Sequence, residues 1–160
     1  MIRIVIPLDK QSSTTCRLIA TEMWNGMYER WHPLQSWSDR RVEIEAVHDD
    51  WDGFRIWIRS HDEPKGMLIV RFDDAKFYCN SDEGYRISSI EPSQPTLEFP
   101  HVFWRVSDSE LVRVFNRQSC GIHSSDGLVH YSFLSCNDCV DVISCFPPKF
   151  EGNWYGKDDG

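Results

Sequence analysis

The sequence that decides the fold is GFRIWIRSHDEPKGMLIVRF, residues 53–72. At its start the apolar side chains Phe54, Ile56 and Ile58 alternate with arginine and tryptophan. In an extended chain, alternate residues point to opposite faces, so these three residues share one face. The segment MLIVRF, residues 67–72, repeats the same period after a loop that contains one proline and one glycine. Two such runs joined by a short turn-rich loop predict a β-hairpin.

The remaining segments predict further strands around this hairpin. They are residues 1–8, 41–47, 76–79, 85–90, 96–99 and 102–106, and a closing hairpin of residues 128–135 and 140–145. Helices are predicted at residues 12–26 and 107–118, the second with Ser107 and Glu110 at capping-box spacing. We therefore expect an α+β domain, mainly antiparallel β-sheet with about two helices, and a loose tail at residues 151–160.

Length and charge limit the possible functions. A chain of 160 residues fits a single domain, residues 1–160, large enough to fold without metal or disulfides. The formal net charge of −8 repels nucleic-acid phosphates and anionic lipid. We therefore expect neither a nucleic-acid nor a membrane partner. Such a surface suits a basic protein partner, or serves solubility alone.

The sequence predicts a cytoplasmic protein with reduced cysteines. The first residues lack a signal-peptide pattern, and no run approaches the roughly 20 apolar residues needed to span a membrane. The six cysteines should then be thiols in a reducing compartment.

One cysteine and histidine set could bind a metal. Cys120 and His123 form one pair with two intervening residues, and Cys136 and Cys139 form another. Zinc takes four tetrahedral ligands of these types, often from two such pairs. The competing interpretation is local, because the Asn-Asp between Cys136 and Cys139 favours a tight turn with the two cysteines as cross-strand neighbours. We favour that interpretation and expect no cofactor.

A catalytic function has little support in the sequence. His123 and His130, with Tyr131, could act as an acid/base pair. No nucleophile or phosphate-binding loop is recognisable beside them, so we expect no enzymatic activity.

Two acidic segments are predicted to meet at one edge of the central hairpin. One segment enters its first strand and the other leaves its second strand, and these two ends are neighbours in an antiparallel pair. The residues concerned are Asp49, Asp50, Trp51, Asp52, Asp73 and Asp74. An aromatic residue ringed by charges is a common form of interface hot spot. The alternative is a solvated turn in an acidic protein.

The second half of the chain resembles a known group of proteins. The segments are FWRVSDSEL at residues 103–111, LVHY at 128–131 and NDCVDVIS at 137–144, and residues 70–86 fit the same pattern. They resemble a loose group of small bacterial proteins. Proteins of this kind are often immunity proteins of toxin systems, including contact-dependent growth inhibition.

The resemblance implies an immunity protein that occludes the active site of a cognate, basic protein toxin, for example a nuclease. The alternative from the cysteine and histidine residues is a small zinc-binding protein or an enzyme of unknown substrate.

Overall fold

The computed structural model describes residues 2–3, 25–62, 66–82 and 101–153. These residues form an α+β fold that is mostly strand, as the sequence predicts. Its elements are β1 (Ile2–Arg3), β2 (Met27–Arg30), α1 (Gln35–Ser38), β3 (Val42–Asp50), β4 (Gly53–Ser60), β5 (Met67–Phe72), β6 (Ala75–Asp82), β7 (Phe103–Ser107), α2 (Glu110–Gln118), β8 (Val129–Leu134), β9 (Asp138–Ser144) and β10 (Lys149–Asn153).

The strands are arranged in two sheets. The six-stranded sheet has the order β1-β6-β9-β8-β7-β2, and the four-stranded sheet has the order β10-β5-β4-β3. All paired neighbours are antiparallel except β1 and β6, which are parallel. The central hairpin is confirmed, because β4 pairs with β5 and Phe54 lies opposite Phe72. The chain then crosses between sheets, since β6 pairs with β9 rather than returning beside β5.

The main core lies between the two sheets. The alternating apolar residues of β3, β4 and β5 face inward and pack against aromatic and branched side chains of the six-stranded sheet. Phe72 is 2% exposed, and its ring lies 6.0 Å from the ring of Phe133 at an interplanar angle of 88°. Edge-to-face contacts of this kind stabilise aromatic cores beyond simple burial.

Helix α2 covers the other face of the six-stranded sheet. Leu111 and Phe115 are buried against Phe77, Cys79 and Ile143. The described residues therefore form three layers: a helix, the six-stranded sheet and the four-stranded sheet. The outer face of the four-stranded sheet carries charged side chains.

The predicted cap of this helix is wrong by two residues. Ser109, not Ser107, is the N-cap, and its Oγ accepts a hydrogen bond from the Val112 N–H at 3.2 Å. Ser107 ends β7, and its hydroxyl donates to Glu29 at 3.1 Å. Pairing of β7 with β2 therefore takes the serine that capping-box spacing had assigned to the helix.

Several predicted elements have different bounds. The strand predicted to end at residue 47 continues to Asp50 because its pairing with β4 continues to Gly53. Residues 151–153, predicted as part of a loose tail, pair with β5 as the end of β10. The rest of that tail, the predicted strands at 85–90 and 96–99, and all but the last two residues of the predicted 12–26 helix lie outside the described residues.

The turn between β8 and β9 docks on the edge of β3. The Ile44 N–H donates to Asn137 Oδ1 at 3.0 Å, and Asn137 Nδ2 donates to the Ile44 carbonyl at 3.1 Å. The Cys136 N–H also donates to the Val42 carbonyl at 3.1 Å. One side-chain amide thus occupies the place of a neighbouring strand and joins the two sheets.

Candidate partner-binding site

The turn between β3 and β4 presents Trp51 to solvent. Only Trp51 and Asp52 lie between the two strands. The following Gly53 has a φ of 94°, which glycine adopts without steric cost. The Asp52 N–H donates to Asp50 Oδ1 at 2.9 Å, a side-chain bond typical of turns. Trp51 is 97% exposed, an unusual position for so large an apolar side chain.

Two arginines hold this turn from the outer face of the four-stranded sheet. Arg55 forms ion pairs with Asp52 and with Asp50, the second at 2.6 Å. Arg71 donates to the Asp52 carbonyl at 2.9 Å and lies 3.2 Å from its Oδ1. Both arginines reach Asp52 because they lie opposite each other on β4 and β5. The turn that displays Trp51 is therefore held by two arginines from one face of the sheet.

The pairing changes the acid–base behaviour of Asp52. The hydrogen bond from Arg71, together with the positive charges of Arg71 and Arg55, lowers the pKa of Asp52 below its ordinary value, while desolvation acts in the opposite direction. Asp52 is therefore a carboxylate at neutral pH. Its role in the structure is to bind the two arginines.

Asp73 and Asp74 lie at the same edge as the turn. Since β4 and β5 are antiparallel neighbours, the residues that follow β5 lie beside the start of β4. Asp73 forms an ion pair with Lys149 at 2.5 Å, and Asp74 forms one with Lys76 at 2.6 Å. The hydrogen bond from Lys76 to Asp74 also raises the pKa of Lys76.

The edge is more balanced in charge than the sequence suggested. Cations within salt-bridge distance of its carboxylates are Arg55, Arg71, Lys76 and Lys149. Asp49 forms no salt bridge with any residue in the described ranges. Period-two alternation places Arg55 on the outer face, but its meeting with Arg71 depends on the β4–β5 register, which the sequence does not state. This edge therefore presents an exposed tryptophan beside carboxylates that are mostly paired with cations.

The proposed zinc ligands do not form one group. Cys139 is buried opposite Leu134 in β8, and Cys136 lies exposed in the preceding turn. They are therefore not the cross-strand neighbours that the sequence suggested. His123 lies 2.8 Å from Asp126 and stacks on Phe115, after the end of α2. Within the described ranges no three His, Cys, Asp or Glu side chains are arranged to hold a metal ion. No disulfide joins the five cysteines of those ranges.

A second polar group joins His130 to two side chains that the sequence does not indicate as its partners. The His130 ring nitrogens lie 2.8 Å from Ser109 Oγ and 2.8 Å from Asp141 Oδ1. The three side chains are 6%, 1% and 0% exposed, in the order Ser109, His130, Asp141. His130 and Asp141 are brought together by the pairing of β8 with β9, whereas Ser109 comes from the start of α2. Only the alternating pattern, which places a polar residue on the buried helix-side face, could have signalled it.

The three side chains have the composition of a hydrolytic triad, but Ser109 is buried and is the N-cap of α2. Ser109 Oγ already accepts the Val112 N–H as the helix cap. One arrangement satisfies every group: Val112 donates to Ser109, Ser109 donates to His130 Nδ1, and His130 Nε2 donates to Asp141. The Ser109 hydroxyl lies in the interior, and its hydrogen bonds join the start of α2 to β8 and β9 through His130 and Asp141.

No family model, curated protein or solved structure matches this chain. Neither helix of the described part has the length and apolar composition to cross a bilayer.

Proposed function

We propose that this chain is a cytoplasmic immunity protein that neutralises a basic protein toxin by covering the toxin's active site. The observation that carries the proposal is Trp51, which is 97% exposed on a turn fixed by two arginines. Tryptophan is enriched in binding hot spots. Because the backbone of this turn is already held through Asp50 and Asp52, less conformational entropy is lost when a partner buries the Trp51 side chain.

The net charge supports a basic partner. The chain carries a formal charge of −8, so a basic toxin would be drawn to it over longer distances than contact alone permits. A nuclease is one such toxin class, because its cleft must attract phosphates. Because the carboxylates of this edge are partly neutralised, the edge contributes to toxin binding mainly through Trp51 and its hydrogen-bonding groups.

A growth assay with a candidate toxin tests the immunity function. The C-terminal part of a large exported protein encoded next to this gene is expressed alone and then together with this chain. Restored growth with this chain, and a direct complex in calorimetry, are expected. Continued killing despite a soluble, folded chain would contradict the immunity function.

A matched pair of variants tests the site. Trp51→Ala should weaken toxin affinity by more than about 2 kcal/mol, the usual range for a hot spot, with an unchanged unfolding midpoint. Met27→Ala is the control, because Met27 is also apolar and 53% exposed but lies on β2 at the edge of the other sheet. Equal affinity of both variants would place the contact elsewhere. Reversing Asp50 and Asp52 is a poorer test, since it also removes the support of the turn.

A further inference from the structure

The edge of the four-stranded sheet at β3 is divided into a covered half and an open half. β3 is the last strand of that sheet, so one side of its backbone has no strand neighbour among the described residues. Such an edge offers N–H and carbonyl groups to any extended chain. The pairing of β3 with β4 shows which β3 residues direct these backbone groups to the edge.

The pairing of β4 fixes the direction of each backbone group. The Ser60 N–H donates to the Gly66 carbonyl, so Ser60 bonds on the β5 side. Backbone groups alternate along a strand, so Arg55, Trp57 and Arg59 bond on the β3 side. Their partners on β3 are His48, Ala46 and Glu43, with a register shift between Ile44 and Ala46.

Asp50 also bonds on the β4 side, since it pairs with Gly53, and Glu45 is the residue skipped at the register shift. Four residues of β3 are left to face the edge. They are Val42, Ile44, Val47 and Asp49. Val42 and Ile44 are covered by the hydrogen bonds from Cys136 and Asn137, which supports this assignment. No residue of the described ranges forms an edge-side hydrogen bond with the backbone of Val47 or Asp49. Val47 is half-buried and residues 48–50 are exposed, so this half is accessible to a partner.

The charges of β3 indicate what can pair there. The strand carries Glu43, Glu45, Asp49 and Asp50, and neither lysine nor arginine. A second copy of the chain would bring like charges together across the new pair, which disfavours self-association. A strand with lysine or arginine side chains would instead meet carboxylates, with Asp49 the one that no described cation neutralises.

We propose that the open half of β3, from Val47 to Asp49, accepts an extended basic segment of the toxin as an added strand. This inference rests on the proposed function and names the form of the partner. The added strand would lie beside the turn that presents Trp51, so one toxin surface could contact both. Backbone hydrogen bonds provide affinity in such complexes, while alternate side chains provide specificity.

The first experiment uses a peptide as the probe. A capped peptide of about eight alternating lysine and valine residues, a usual strand length, is titrated into the intact protein. Amide hydrogen exchange should slow at Val47 and Asp49. The same peptide with every second amide N-methylated should lose binding. Protection elsewhere, or equal binding of the methylated peptide, would overturn the proposal. If a peptide of alternating glutamate and valine bound as tightly as the lysine peptide, the inference that the partner segment is basic would be wrong.

A pair of variants separates the backbone from the charge. Asp49→Pro and Asp49→Ala both remove the carboxylate, but only proline removes the N–H that faces the edge. Proline is tolerated at such edge positions because no bond to β4 is lost. The proline variant should bind the peptide about tenfold more weakly than the alanine variant, the effect of one hydrogen bond. Equal binding would overturn the added strand.

The two proposals can fail separately. Toxin binding that is lost in Trp51→Ala, but is equal in Asp49→Pro and Asp49→Ala, would keep the immunity function and overturn the strand. Peptide protection at Val47 and Asp49, in a protein that neutralises no toxin, would keep the edge site and overturn the function.

Discussion

Ser109 serves two hydrogen-bonding groups at the start of α2. Its Oγ accepts from the Val112 N–H, and it lies 2.8 Å from His130. Ser109→Ala leaves both groups without this partner inside the protein. We expect a loss of roughly 1–3 kcal/mol in the free energy of unfolding, from the lost cap and an unsatisfied buried group. Chemical denaturation measures it, and Ser109→Thr, which keeps a hydroxyl, should lose less.

The same residue allows a direct check on enzymatic activity. A fluorophosphonate labels activated serines, and we expect no labelling of Ser109, because its hydroxyl is enclosed and already bonded. Labelling that disappears in a His130→Ala variant would instead identify a catalytic serine.

The two faces of the β4–β5 hairpin differ in what they contribute. Phe72 faces the main core, and Phe72→Ala should cost about 3–5 kcal/mol through the cavity it leaves. Trp57 lies half-buried on the outer face, with its ring 6.0 Å from that of His48. Trp57→Ala should cost roughly 1–2 kcal/mol, because less apolar surface is returned to water. Equal losses in urea denaturation would show that a second core covers the outer face.

The turn that carries Trp51 should weaken in acid. Arg71 lowers the pKa of Asp52, so the folded state holds this proton less tightly than the unfolded state does. The resulting stability is present above the ordinary pKa of aspartate, about 3.9, and is lost as the pH falls through the lower folded-state value. Wild type should therefore be more stable than Asp52→Asn at neutral pH, and the difference should shrink in acid.

A second background isolates the cause of this pH dependence. In an Arg71→Met protein, the substitution Asp52→Asn should have a smaller effect at every pH. An unchanged difference would assign the effect to Arg55 alone. Unfolding curves at several pH values in all four proteins provide the comparison.

How far the sequence predicts the elements depends on how local their causes are. The alternation in residues 53–72 predicts the β4–β5 hairpin, since one buried face requires period two. The Asn-Asp pair indicates the β8–β9 hairpin but not its bounds, since the connection is residues 135–137 and Asp138 already belongs to β9. The helix cap was misplaced, because pairing of β7 with β2 took Ser107, and no local pattern reveals that.

The sequence predicts where the acidic residues of the candidate site lie, but not which cations neutralise them. Antiparallel geometry alone brings Asp52 and Asp73 to one edge. The cations that neutralise these acids come from separate strands, such as Arg71 and Lys149, and their approach depends on register. For the same reason the His130 network, which joins three elements, was not visible in the sequence.

The cysteines of the whole molecule should all be titratable. Ellman titration of denatured, unreduced protein should count about six thiols, the number in the sequence. In the native state the exposed Cys120 and Cys136 should react before the buried Cys79 and Cys139. One equivalent of zinc that is lost in Cys136→Ser would revive the metal-binding alternative.

Toxin association should depend on ionic strength. The net charge of −8 acts through the whole surface, so raising salt should slow the association rate more than it speeds dissociation. Stopped-flow fluorescence at several salt concentrations measures both rates. An association rate that does not change with salt would remove electrostatic attraction from the mechanism.

The order in which the strands leave the ribosome has a consequence for synthesis. β3, β4 and β5 are consecutive in the chain and pair with one another, so this meander has only short loops to close. The strands that cover its apolar face, β8 and β9, are made about sixty residues later. During that interval Phe54, Ile56 and Phe72 lack the two central strands of the sheet that covers them. We therefore expect the growing chain to expose an apolar surface that chaperones bind, until β9 is synthesised and the core can form.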